Sequence, residues 1–320
     1  MNTILKQIEE IGIVPTIKIE DAEKAVPLAR ALVAGGIPCA EITFRTTQAE
    51  AAIGRIAAEV PDILLGAGTV LSTEQVDRAI GAGAKFIVAP GLNPKVVSHC
   101  LARNVPVTPG CSTPSDIEQA LEFGLEAVKF FPAEQAGGLD YIKAVSAPYN
   151  TMKFLPTGGI HKGNITKYLA FDKVFACGGS WMVPPALINA GDFDAIRVLC
   201  REAVEAVMDF ELVHVGINAE NKEEAVRGAK MFEALFGFAF RETPRSVFAG
   251  KGIEIMNTPF LGKHGHIAVG TNSLKRAQAY LERKGIEFNP DTLYFDEVGK
   301  PLIIYMKDEI AGFAVHLFQK

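Results

Sequence analysis

The sequence lacks paired cysteines, long apolar runs and an excess of positive charge, and each absence excludes a class of protein. Its five cysteines are scattered and form no CxxC pair, which favours reduced thiols in a cytoplasmic protein over a disulfide framework. No apolar run approaches the roughly 20 residues that cross a bilayer, and the short acidic N-terminus does not resemble a signal peptide. The net charge of −5 argues against binding nucleic acid or anionic membranes through bulk electrostatics.

One pattern fills the first two thirds of the chain: a short apolar run ends in Gly, Pro or Thr, and an Ala-rich amphipathic stretch follows. Eight such runs occur: GIVPTIKI, CAEITF, ILLGAGT, KFIVAPG, VPVTPG, EAVKFFP, KFLPTGG and KVFACGG. Strands that alternate with helices predict parallel βαβ units, and eight units in about 200 residues favour a closed (β/α)₈ TIM barrel over an open sheet. The opening segment MNTILKQIEEIG predicts an additional amphipathic helix at the bottom of the barrel.

The composition changes near residue 210, where Ala-rich helices give way to β-rich stretches. Two later segments, HVGINAENKEEAVRGAKMFEALFGFAF and HIAVGTNSLKRAQAYLERKGIEF, resemble each other and recur after about 50 residues. Each predicts a strand, a helix and further strands. We therefore predict an α/β chain with two domains. These are a barrel over residues 1–210 and a smaller α+β domain of paired βαβββ units over residues 211–320.

Lys129 lies among apolar residues in AVKFFPAE, near the end of the sixth predicted strand. Functional residues of barrels collect at this end of the strands, whereas Lys85, Lys153 and Lys173 begin their strands and belong to the opposite rim. Removal from water disfavours the ammonium form of a lysine, and the neutral amine forms a Schiff base with a ketone. A structural role is the usual one for a single lysine. The aromatic neighbours and the late strand position favour a covalent role for Lys129.

Strand two, AEITFR, alternates its side chains so that Glu41 and Arg45 share the inward face. Arg45 offers a planar guanidinium to a substrate carboxylate, and Thr69 offers a hydroxyl at the end of strand three. Glu41 is the candidate for moving protons during Schiff-base chemistry. Taken alone, Glu41 and Arg45 are equally well explained as an internal ion pair. Together with Lys129 they favour catalysis on a 2-keto acid.

Two glycine pairs end the seventh and eighth strands, in PTGG and CGGS. The loops after these strands bind phosphate in many barrels, because glycines let backbone N–H groups approach an anion. The candidate cradle consists of Gly158, Gly159, Gly178, Gly179 and Ser180. One pair alone is more typical of a tight turn, but two pairs at the two expected strands favour a phosphorylated substrate. The barrel segment has no set of metal ligands, which disfavours a metal-dependent aldolase.

Residues 1 to about 205 resemble the 2-keto-3-deoxy-6-phosphogluconate (KDPG) and 4-hydroxy-2-oxoglutarate (KHG) aldolase family. The resemblance rests on motifs in the family's order: AEITFRT, GAGTV, FIVAPG, VPVTPG, AVKFFPAE, PTGGI and CGGSWMVP. It implies a class I aldolase, a lyase that is usually a homotrimer and uses no metal or organic cofactor. The implied reaction is the reversible cleavage of KDPG into pyruvate and glyceraldehyde 3-phosphate. Cleavage of KHG into pyruvate and glyoxylate is one alternative, and cleavage of a galactonate-derived analogue is another, since all three substrates share the pyruvate half.

The same resemblance implies a role for individual residues. Lys129 would form the Schiff base and Glu41 would be the general acid/base, while Arg45 and Thr69 would hold the pyruvate carboxylate. The residues implied for the phosphate, the substrate tail and the pocket wall are Thr157, Gly158, Gly159, Gly179, Ser180, Phe131 and Pro90. No motif departs from the family pattern at these positions, and the intact phosphate cradle favours KDPG.

The paired units of the second domain resemble the vicinal oxygen chelate group, which includes glyoxalase I and extradiol dioxygenases. That group binds a divalent metal through residues on the first and last strands of each unit, which here are His214, Glu254, His266 and His316. His316 departs from the pattern, since a glutamate is usual there. The set still suits Zn, Ni, Fe or Mn. The opposing interpretation is a metal-free inherited scaffold, because histidine is also common in half-buried strands.

Three hypotheses for the whole chain stay open at this point. The first is a Schiff-base aldolase with an accessory C-terminal module. The second is a fusion whose second domain is a metal-dependent isomerase, lyase or dioxygenase. The third is a metabolite sensor, in which the second domain binds a small molecule and regulates the barrel. In each case the expected partners are a small phosphorylated 2-keto acid and further copies of the chain, in the cytoplasm and without nucleic acid or membrane.

Overall fold

The computed structural model describes residues 1–320 and divides the chain into two compact units, Met1–Val207 and Met208–Lys320. The division falls close to residue 210, where the sequence predicts the domain boundary. None of the helices is both long enough and apolar enough to span a lipid bilayer.

The first unit alternates strands and helices. Its strands are β1 (Ile13–Ile17), β2 (Cys39–Thr43), β3 (Leu64–Gly68), β4 (Phe86–Val88), β5 (Val107–Thr108), β6 (Ala127–Phe130), β7 (Lys153–Pro156) and β8 (Cys177–Gly179). Its helices are α1 (Thr3–Ile11), α2 (Ala25–Ala34), α3 (Ala49–Glu59), α4 (Thr73–Ala82), α5 (Pro94–Ala102), α6 (Pro114–Glu122), α7 (Gly138–Ser146), α8 (Ile165–Leu169), α9 (Pro185–Ala190) and α10 (Phe193–Met208). A short 3₁₀ turn, Ala22–Lys24, precedes α2.

The eight strands pair in parallel and close into a TIM-barrel-like ring. β1 is hydrogen-bonded to both β2 and β8, and continuous pairing runs from β2 through to β5. β6 pairs with β7, and single bridges at Gly110–Lys129 and Thr157–Gly178 join this pair to its neighbours. The predicted α/β barrel is therefore confirmed, with β5 reduced to two residues.

The barrel strands are apolar because both of their faces are covered. Every residue of β2, β4 and β6 is buried. The opening helix α1 buries Leu5, Ile8 and Ile11, as expected for an amphipathic helix in this segment. The Asn2 side chain caps α1, and the Asn2 amide donates to Glu126 just before β6. α1 therefore lies at the N-terminal end of the barrel strands, away from the end where function is expected.

The second unit twice repeats a strand, a helix and three strands. The first copy is β9 (Glu211–Asn218), α11 (Lys222–Phe236), β10 (Phe240–Glu242), β11 (Ser246–Ala249) and β12 (Ile253–Met256). The second copy is β13 (Gly265–Thr271), α12 (Leu274–Glu282), β14 (Phe288–Phe295), β15 (Pro301–Met306) and β16 (Phe313–Gln319). All eight strands form one mixed sheet in the order β10-β11-β12-β9-β13-β16-β15-β14. The order is symmetric about the antiparallel β9–β13 pair, where the two copies meet.

The helices of the second unit cover one face of this sheet. α11 packs its buried Ala225 and Ala229 against Val247, Ala249 and Ile255 of β11 and β12. α12 packs against β15 and β16. Because side chains alternate along a strand, the intervening residues of β11 and β12 point to the opposite face. That face is free to hold polar groups.

Candidate functional site

Lys129 lies next to the last residue of a fully buried strand, β6. Its amide donates to the Pro109 carbonyl, and its carbonyl accepts from the Cys111 amide, which fixes the backbone. The side chain is 5 % exposed, and its Nζ lies 3.5 Å from Glu41 Oε1. Nζ also lies 5.5 Å from the centre of the Phe131 ring. The amine therefore meets one carboxylate and one aromatic face, with little water around it.

Glu41 extends from β2 and is completely buried, and its two carboxylate oxygens have different partners. Oε2 accepts a 3.5 Å hydrogen bond from Thr16 Oγ1. Oε1 makes the contact with Lys129 and has no hydrogen-bond partner. Gly68 on β3 leaves space for this carboxylate, because a β-carbon at Gly68 would lie 2.1 Å from Oε1. The oxygen without a hydrogen-bond partner therefore faces the Lys129 amine directly.

Arg45 follows β2 and Thr69 follows β3, so both residues lie at the C-terminal end of the barrel strands. Arg45 Nε donates a 3.2 Å hydrogen bond to Thr69 Oγ1. Thr69 has a φ of 56°, a left-handed conformation that is unfavourable for a β-branched residue. The unfavourable backbone conformation therefore occurs at the residue whose hydroxyl accepts from the exposed guanidinium of Arg45.

A cavity of about 300 Å³ opens among the C-terminal ends of β1, β2, β6, β7 and β8. Seven of its lining residues are predicted site residues: Arg45, Phe131, Thr157, Gly158, Gly159, Gly179 and Ser180. The others are Thr16, Lys18, Thr43, Ile160, Val183 and Pro185. Five other predicted residues do not line this cavity: Pro90, Thr69, Gly178, Lys129 and Glu41. Pro90 follows β4, a strand that contributes no lining residue, and Thr69 is connected to the cavity through Arg45.

The glycines at the ends of the last two strands lie too close to neighbouring side chains for a β-carbon to fit. A β-carbon at Gly178 would lie 2.3 Å from Thr157 Oγ1, and one at Gly179 would lie 2.0 Å from the Trp181 ring. Gly158 has a φ of 98°, a conformation that glycine adopts freely. On this side the cavity wall is backbone rather than side chain, and backbone N–H groups can approach an anion there.

Sequence reasoning missed Lys18, which lines the same cavity. Lys18 directly follows β1, two residues after Thr16, and residues two apart on a strand share a face. Its Nζ lies 2.7 Å from Glu20 Oε1, and both side chains are about half exposed. The position of Lys18 at the end of its strand is the same feature that marks Lys129, so the sequence contained the signal.

The second unit gathers His214, Glu254, His266 and His316 into one cluster. The Nε2 atoms of His214 and His266 lie 3.1 Å apart, and each lies 3.1 Å from Glu254 Oε2. Ring nitrogens of the three histidines all lie within 4.8 Å of one another. The structure therefore brings together all four residues that the sequence singles out in this domain.

The cluster forms on the four central strands of the sheet, β9, β12, β13 and β16. Ala268 of β13 is in register with His214 on one side and with His316 on the other. Gly216 of β9 is in register with His266, and a β-carbon there would lie 2.1 Å from the His266 ring. Small residues at the centre of the sheet therefore make room for the imidazoles.

The second oxygen of Glu254 is held by a chain of hydroxyl groups. Ser246 Oγ donates a 2.5 Å hydrogen bond to Glu254 Oε1, and Thr243 Oγ1 lies 2.8 Å from Ser246 Oγ. Ser246 is buried, so water does not compete for this bond. Because Oε1 is occupied, Oε2 is the oxygen that faces the two imidazoles.

Burial and hydrogen bonding set the charges in the cluster. Burial raises the pKa of Glu254, but hydrogen bonds with His214, His266 and Ser246 outweigh burial and hold the pKa far below its usual range. Burial, together with the charge of His266, lowers the pKa of His316 to about 4. At neutral pH the carboxylate is therefore ionised and His316 is neutral, and these are the forms that bind a metal.

A cavity of about 430 Å³ lies over the cluster. Its apolar and aromatic lining residues, which supply most of the exposed wall, are Phe248, Met256, Phe260, Tyr294, Ile303, Tyr305 and Phe318. Arg245 adds one cation to the lining beyond the cluster. The Phe248 ring lies edge-on to His214 at 5.8 Å, and the Tyr305 ring lies 4.6 Å from His316. An apolar pocket with a few convergent polar groups is typical of a small-molecule site.

Comparison with known proteins connects the first unit to one family. The family model for KDPG and KHG aldolase matches residues 4–199. A 2-dehydro-3-deoxy-phosphogluconate aldolase of Treponema pallidum is 51 % identical over 207 residues, which is 65 % of this chain and 99 % of that protein. The family match does not extend into the second unit.

Two crystal structures are similar over the same part of the chain. The KDPG aldolase of Legionella pneumophila, with pyruvate captured as a covalent carbinolamine, has a TM-score of 0.61 and 36 % identity, covering 62 % of this chain and 97 % of that one. The corresponding aldolase of Zymomonas mobilis, with 3-phosphoglycerate, has a TM-score of 0.59 and 38 % identity, covering 62 % of this chain and 94 % of that one. Through its first unit the chain therefore belongs to the KDPG and KHG aldolase family, and it is a class I aldolase, a lyase.

Proposed function

We propose that the KDPG aldolase activity of this chain uses Lys129 as its covalent residue and Glu41 as its general acid/base. The observation that carries this proposal is the buried contact of 3.5 Å between Lys129 Nζ and Glu41 Oε1. A class I aldolase needs no cofactor, because a lysine amine supplies the electron sink and a carboxylate supplies the proton transfers. This pair offers both groups, and Phe131 connects it to the cavity at the barrel mouth.

The proposed reaction begins at the C2 carbonyl of KDPG. Lys129 passes a proton to Glu41, and its amine attacks the C2 carbonyl of KDPG to give a carbinolamine. Glu41 returns that proton to the carbinolamine hydroxyl, which leaves as water and gives a cationic Schiff base. As the C3–C4 bond breaks, its electron pair flows into the Schiff base and Glu41 takes the proton of the C4 hydroxyl, releasing glyceraldehyde 3-phosphate. Glu41 gives this proton to C3 of the enamine, and water then hydrolyses the Schiff base to release pyruvate, with Glu41 accepting the proton that hydrolysis sets free. The carbinolamine captured in the Legionella enzyme supports this route.

The two ends of the substrate are assigned to different parts of the cavity. Arg45, with its 3.2 Å bond to Thr69, holds the pyruvate carboxylate through charge-assisted hydrogen bonds. The phosphate binds at the end of the cavity that is lined by Gly158, Gly159, Gly179 and Ser180. Binding of 3-phosphoglycerate by the Zymomonas enzyme supports a phosphate site in this family. KDPG is accordingly the proposed substrate, with KHG as the alternative.

Borohydride trapping with pyruvate tests the covalent role of Lys129. We expect the wild-type protein to gain a reduced pyruvyl adduct on the peptide that contains Lys129, and Lys129→Ala to gain none. Lys85→Ala is the matched control, since Lys85 is an exposed lysine at the opposite end of a barrel strand. An adduct that persists in Lys129→Ala, or a wild-type protein that is not trapped, contradicts the proposal.

The homotrimer implied by the family resemblance stays a prediction. All the residues proposed for catalysis lie within one copy of the first unit, so the proposed chemistry does not itself require a second copy. Light scattering of the purified chain measures the assembly directly. A homotrimer has three times the chain mass of 34.4 kDa, and a mass of one or two chains contradicts this prediction.

For the second unit we propose a divalent metal centre formed by His214, Glu254, His266 and His316. Ligand atoms about 2.1 Å from a metal lie roughly 3 Å from one another, and three donor atoms of this cluster are separated by 3.1 Å. Two imidazoles and the carboxylate of Glu254 on one face suit Fe or Mn. A ligand set that also includes the imidazole of His316 suits Zn or Ni. When bound, the metal would supply a Lewis acid or a redox centre at the base of the cavity.

The apolar cavity above the cluster favours a second enzymatic function over a purely accessory module. The candidate reactions are those of a metal-dependent isomerase, lyase or dioxygenase. A metabolite sensor is the competing function, because the same cavity also suits a regulatory ligand. Both functions fit the resemblance of the two repeated copies to the vicinal oxygen chelate group.

Elemental analysis of the purified full chain tests the metal centre. We expect about one divalent metal per chain, and loss of that metal in His214→Ala and His266→Ala. Ser246→Ala keeps all four ligands but removes the bond that orients Glu254, so it should weaken metal affinity about 10–100-fold. A wild-type protein that binds no Zn, Ni, Fe or Mn on titration contradicts the proposal and favours the metal-free scaffold.

A further inference from the structure

The cavity of the barrel is lined by two charged side chains, Lys18 and Arg45. KDPG has two anionic ends, the carboxylate of its pyruvate half and the phosphate of its tail. Arg45 is bonded to Thr69 and is assigned to the carboxylate in the proposed function. The phosphate end then has backbone and hydroxyl donors but no cation, unless Lys18 supplies one.

The position of Lys18 follows from the register of β1, which lies between β2 and β8. Pro15 of β1 is in register with Gly179, and Thr16 is in register with Glu41. The Thr16 hydroxyl reaches Glu41, so Thr16 points into the barrel. Lys18 comes two residues later, shares this inward face and lies one layer nearer the mouth. This places Lys18 at the rim next to β8, which ends in the glycine-rich phosphate segment.

The present partner of Lys18 is easily replaced. Lys18 Nζ donates a 2.7 Å bond to Glu20 Oε1, with side-chain exposures of 45 % and 53 %. Exposed ion pairs of this kind contribute little to stability. A phosphate dianion carries more charge than a carboxylate and arrives with further donors around it, so it can take over the Lys18 amine from Glu20.

We propose that Lys18 binds the phosphate of the substrate and sets the preference for phosphorylated over non-phosphorylated 2-keto acids. This proposal rests on the proposed function of the barrel. Glu20 holds the amine at the cavity mouth until the phosphate displaces it. KHG does not use this contact, because its second carboxylate is attached directly to C4, whereas the phosphate of KDPG lies two carbons further along the chain. Lys18 is thus a specificity-determining residue rather than a member of the catalytic pair.

Steady-state kinetics with both substrates test this inference. Lys18→Met removes the charge and keeps most of the side-chain length, and it should lower kcat/KM for KDPG about 10–100-fold, mainly by raising KM. The loss for KHG should be at least about five times smaller. Lys18→Arg keeps the charge and should restore most of the activity on KDPG. The inhibition constant of 3-phosphoglycerate, measured against KHG cleavage, should rise in Lys18→Met by a factor similar to the loss on KDPG.

The control is Lys85→Met. Lys85 is an exposed lysine at the opposite end of the strands, so this variant should leave kcat/KM unchanged for both KDPG and KHG. Equal losses on KDPG and KHG, or no loss on KDPG, overturn the role of Lys18. Borohydride trapping with pyruvate separates this failure from failure of the proposed function. A wild-type protein that is not trapped refutes the Schiff-base role of Lys129. If Lys18→Met alone loses trapping, Lys18 acts on the pyruvate half and the inference is wrong.

Discussion

The two oxygens of Glu41 have different surroundings, which predicts the behaviour of a glutamine in this position. Glu41→Gln keeps an oxygen to accept from Thr16 but removes the group that exchanges protons beside Lys129. We expect kcat for KDPG to fall about 10²–10⁴-fold, the usual contribution of a general acid/base, with a smaller change in KM. Steady-state kinetics and the rate of borohydride trapping with pyruvate measure the two effects.

Thr16→Val is the matched control for this substitution. It removes only the 3.5 Å hydrogen bond to Oε2, which is at the long end of the range for such bonds. We expect a loss in kcat of less than about 10-fold, since a neutral hydrogen bond contributes about 1 kcal/mol. Equal losses in the two variants would show that Glu41 acts through its position in the core rather than through its proton.

His316 predicts a pH dependence of the metal-free second unit. Its pKa is about 4 in the folded protein and 6.5 as the ordinary value, because the ring is buried and lies next to His266. Between these values the unfolded chain binds a proton that the folded chain does not. The stability contributed by this neutral ring is therefore complete above pH 6.5 and is lost as the pH falls towards 4, by on the order of 2–3 kcal/mol.

Calorimetry of the chelator-treated full chain at pH 7.5 and pH 5 measures this loss. The matched variant is His316→Gln, which keeps a polar side chain but does not titrate in this range. We expect the variant to have a flatter dependence of melting temperature on pH than the wild-type protein. An unchanged pH dependence in the variant would assign the effect to other groups.

Single residues were predictable from the sequence where strand position and alternation were sufficient. The buried, inward positions of Lys129 and Glu41 are examples, since they depend on which end and which face of a strand a residue occupies, while the catalytic roles of both residues stay predictions. Lys18 follows the same rule and was missed because Thr16, near the end of β1, is the only polar residue of the strand that precedes it. The Ser246–Glu254 bond was not predictable, because it depends on the antiparallel register of β11 and β12.

At the scale of elements, the approach of β3 to β2 depends on Gly68. A β-carbon at this position would lie 2.1 Å from Glu41 Oε1, in a part of the β2–β3 pair where both strands are buried. We expect Gly68→Ala to displace the Glu41 carboxylate, to lower kcat by at least about 10-fold and to destabilise the barrel by about 1–3 kcal/mol. Kinetics together with urea unfolding measure both effects.

Gly81→Ala provides the control within the same unit. Gly81 lies in α4, and a β-carbon there meets no atom within 4 Å. Alanine favours a helix over glycine by about 0.8–1 kcal/mol, so this variant should be slightly more stable and equally active. Loss of activity in Gly81→Ala would mean that the barrel does not tolerate alanine at glycine positions in general.

The sequence predicted the helices and strands better than it predicted how the helices are capped and which strands pair in the sheet. The spacing of Ser72 and Gln75 in the segment STEQ predicts a capping box at the start of α4. Half of it forms, because Ser72 Oγ accepts from the Gln75 amide. The Gln75 side chain accepts from the Leu71 amide, one residue before the cap. The complete box lies at Thr113 and Asp116 of α6. In the second unit the repeat predicted two similar copies, but the order of their strands depends on long-range pairing that a sequence pattern does not contain.

For the whole molecule, all residues assigned to the aldolase lie in the first of the two compact units. The Treponema relative is matched over 99 % of its own length by 65 % of this chain, so a protein of the barrel's size exists alone in this family. We therefore expect residues 1–210 to cleave KDPG with a kcat/KM within about threefold of the full chain, since a domain has its own core. An inactive or insoluble fragment would show that the barrel needs its C-terminal partner.

The full chain and the fragment of residues 1–210 also distinguish the two functions proposed for the second unit, an independent enzyme and a regulator of the barrel. Removing metal with a chelator acts on the cluster of His214, Glu254, His266 and His316, which the fragment lacks. If the second unit is an independent enzyme, chelation should leave KDPG cleavage by the full chain unchanged, because a class I aldolase needs no metal. If the second unit regulates the barrel, chelation should change kcat or KM of the full chain and not of the fragment. Metal added back must restore the original kinetics, because a regulatory coupling is reversible and reciprocal.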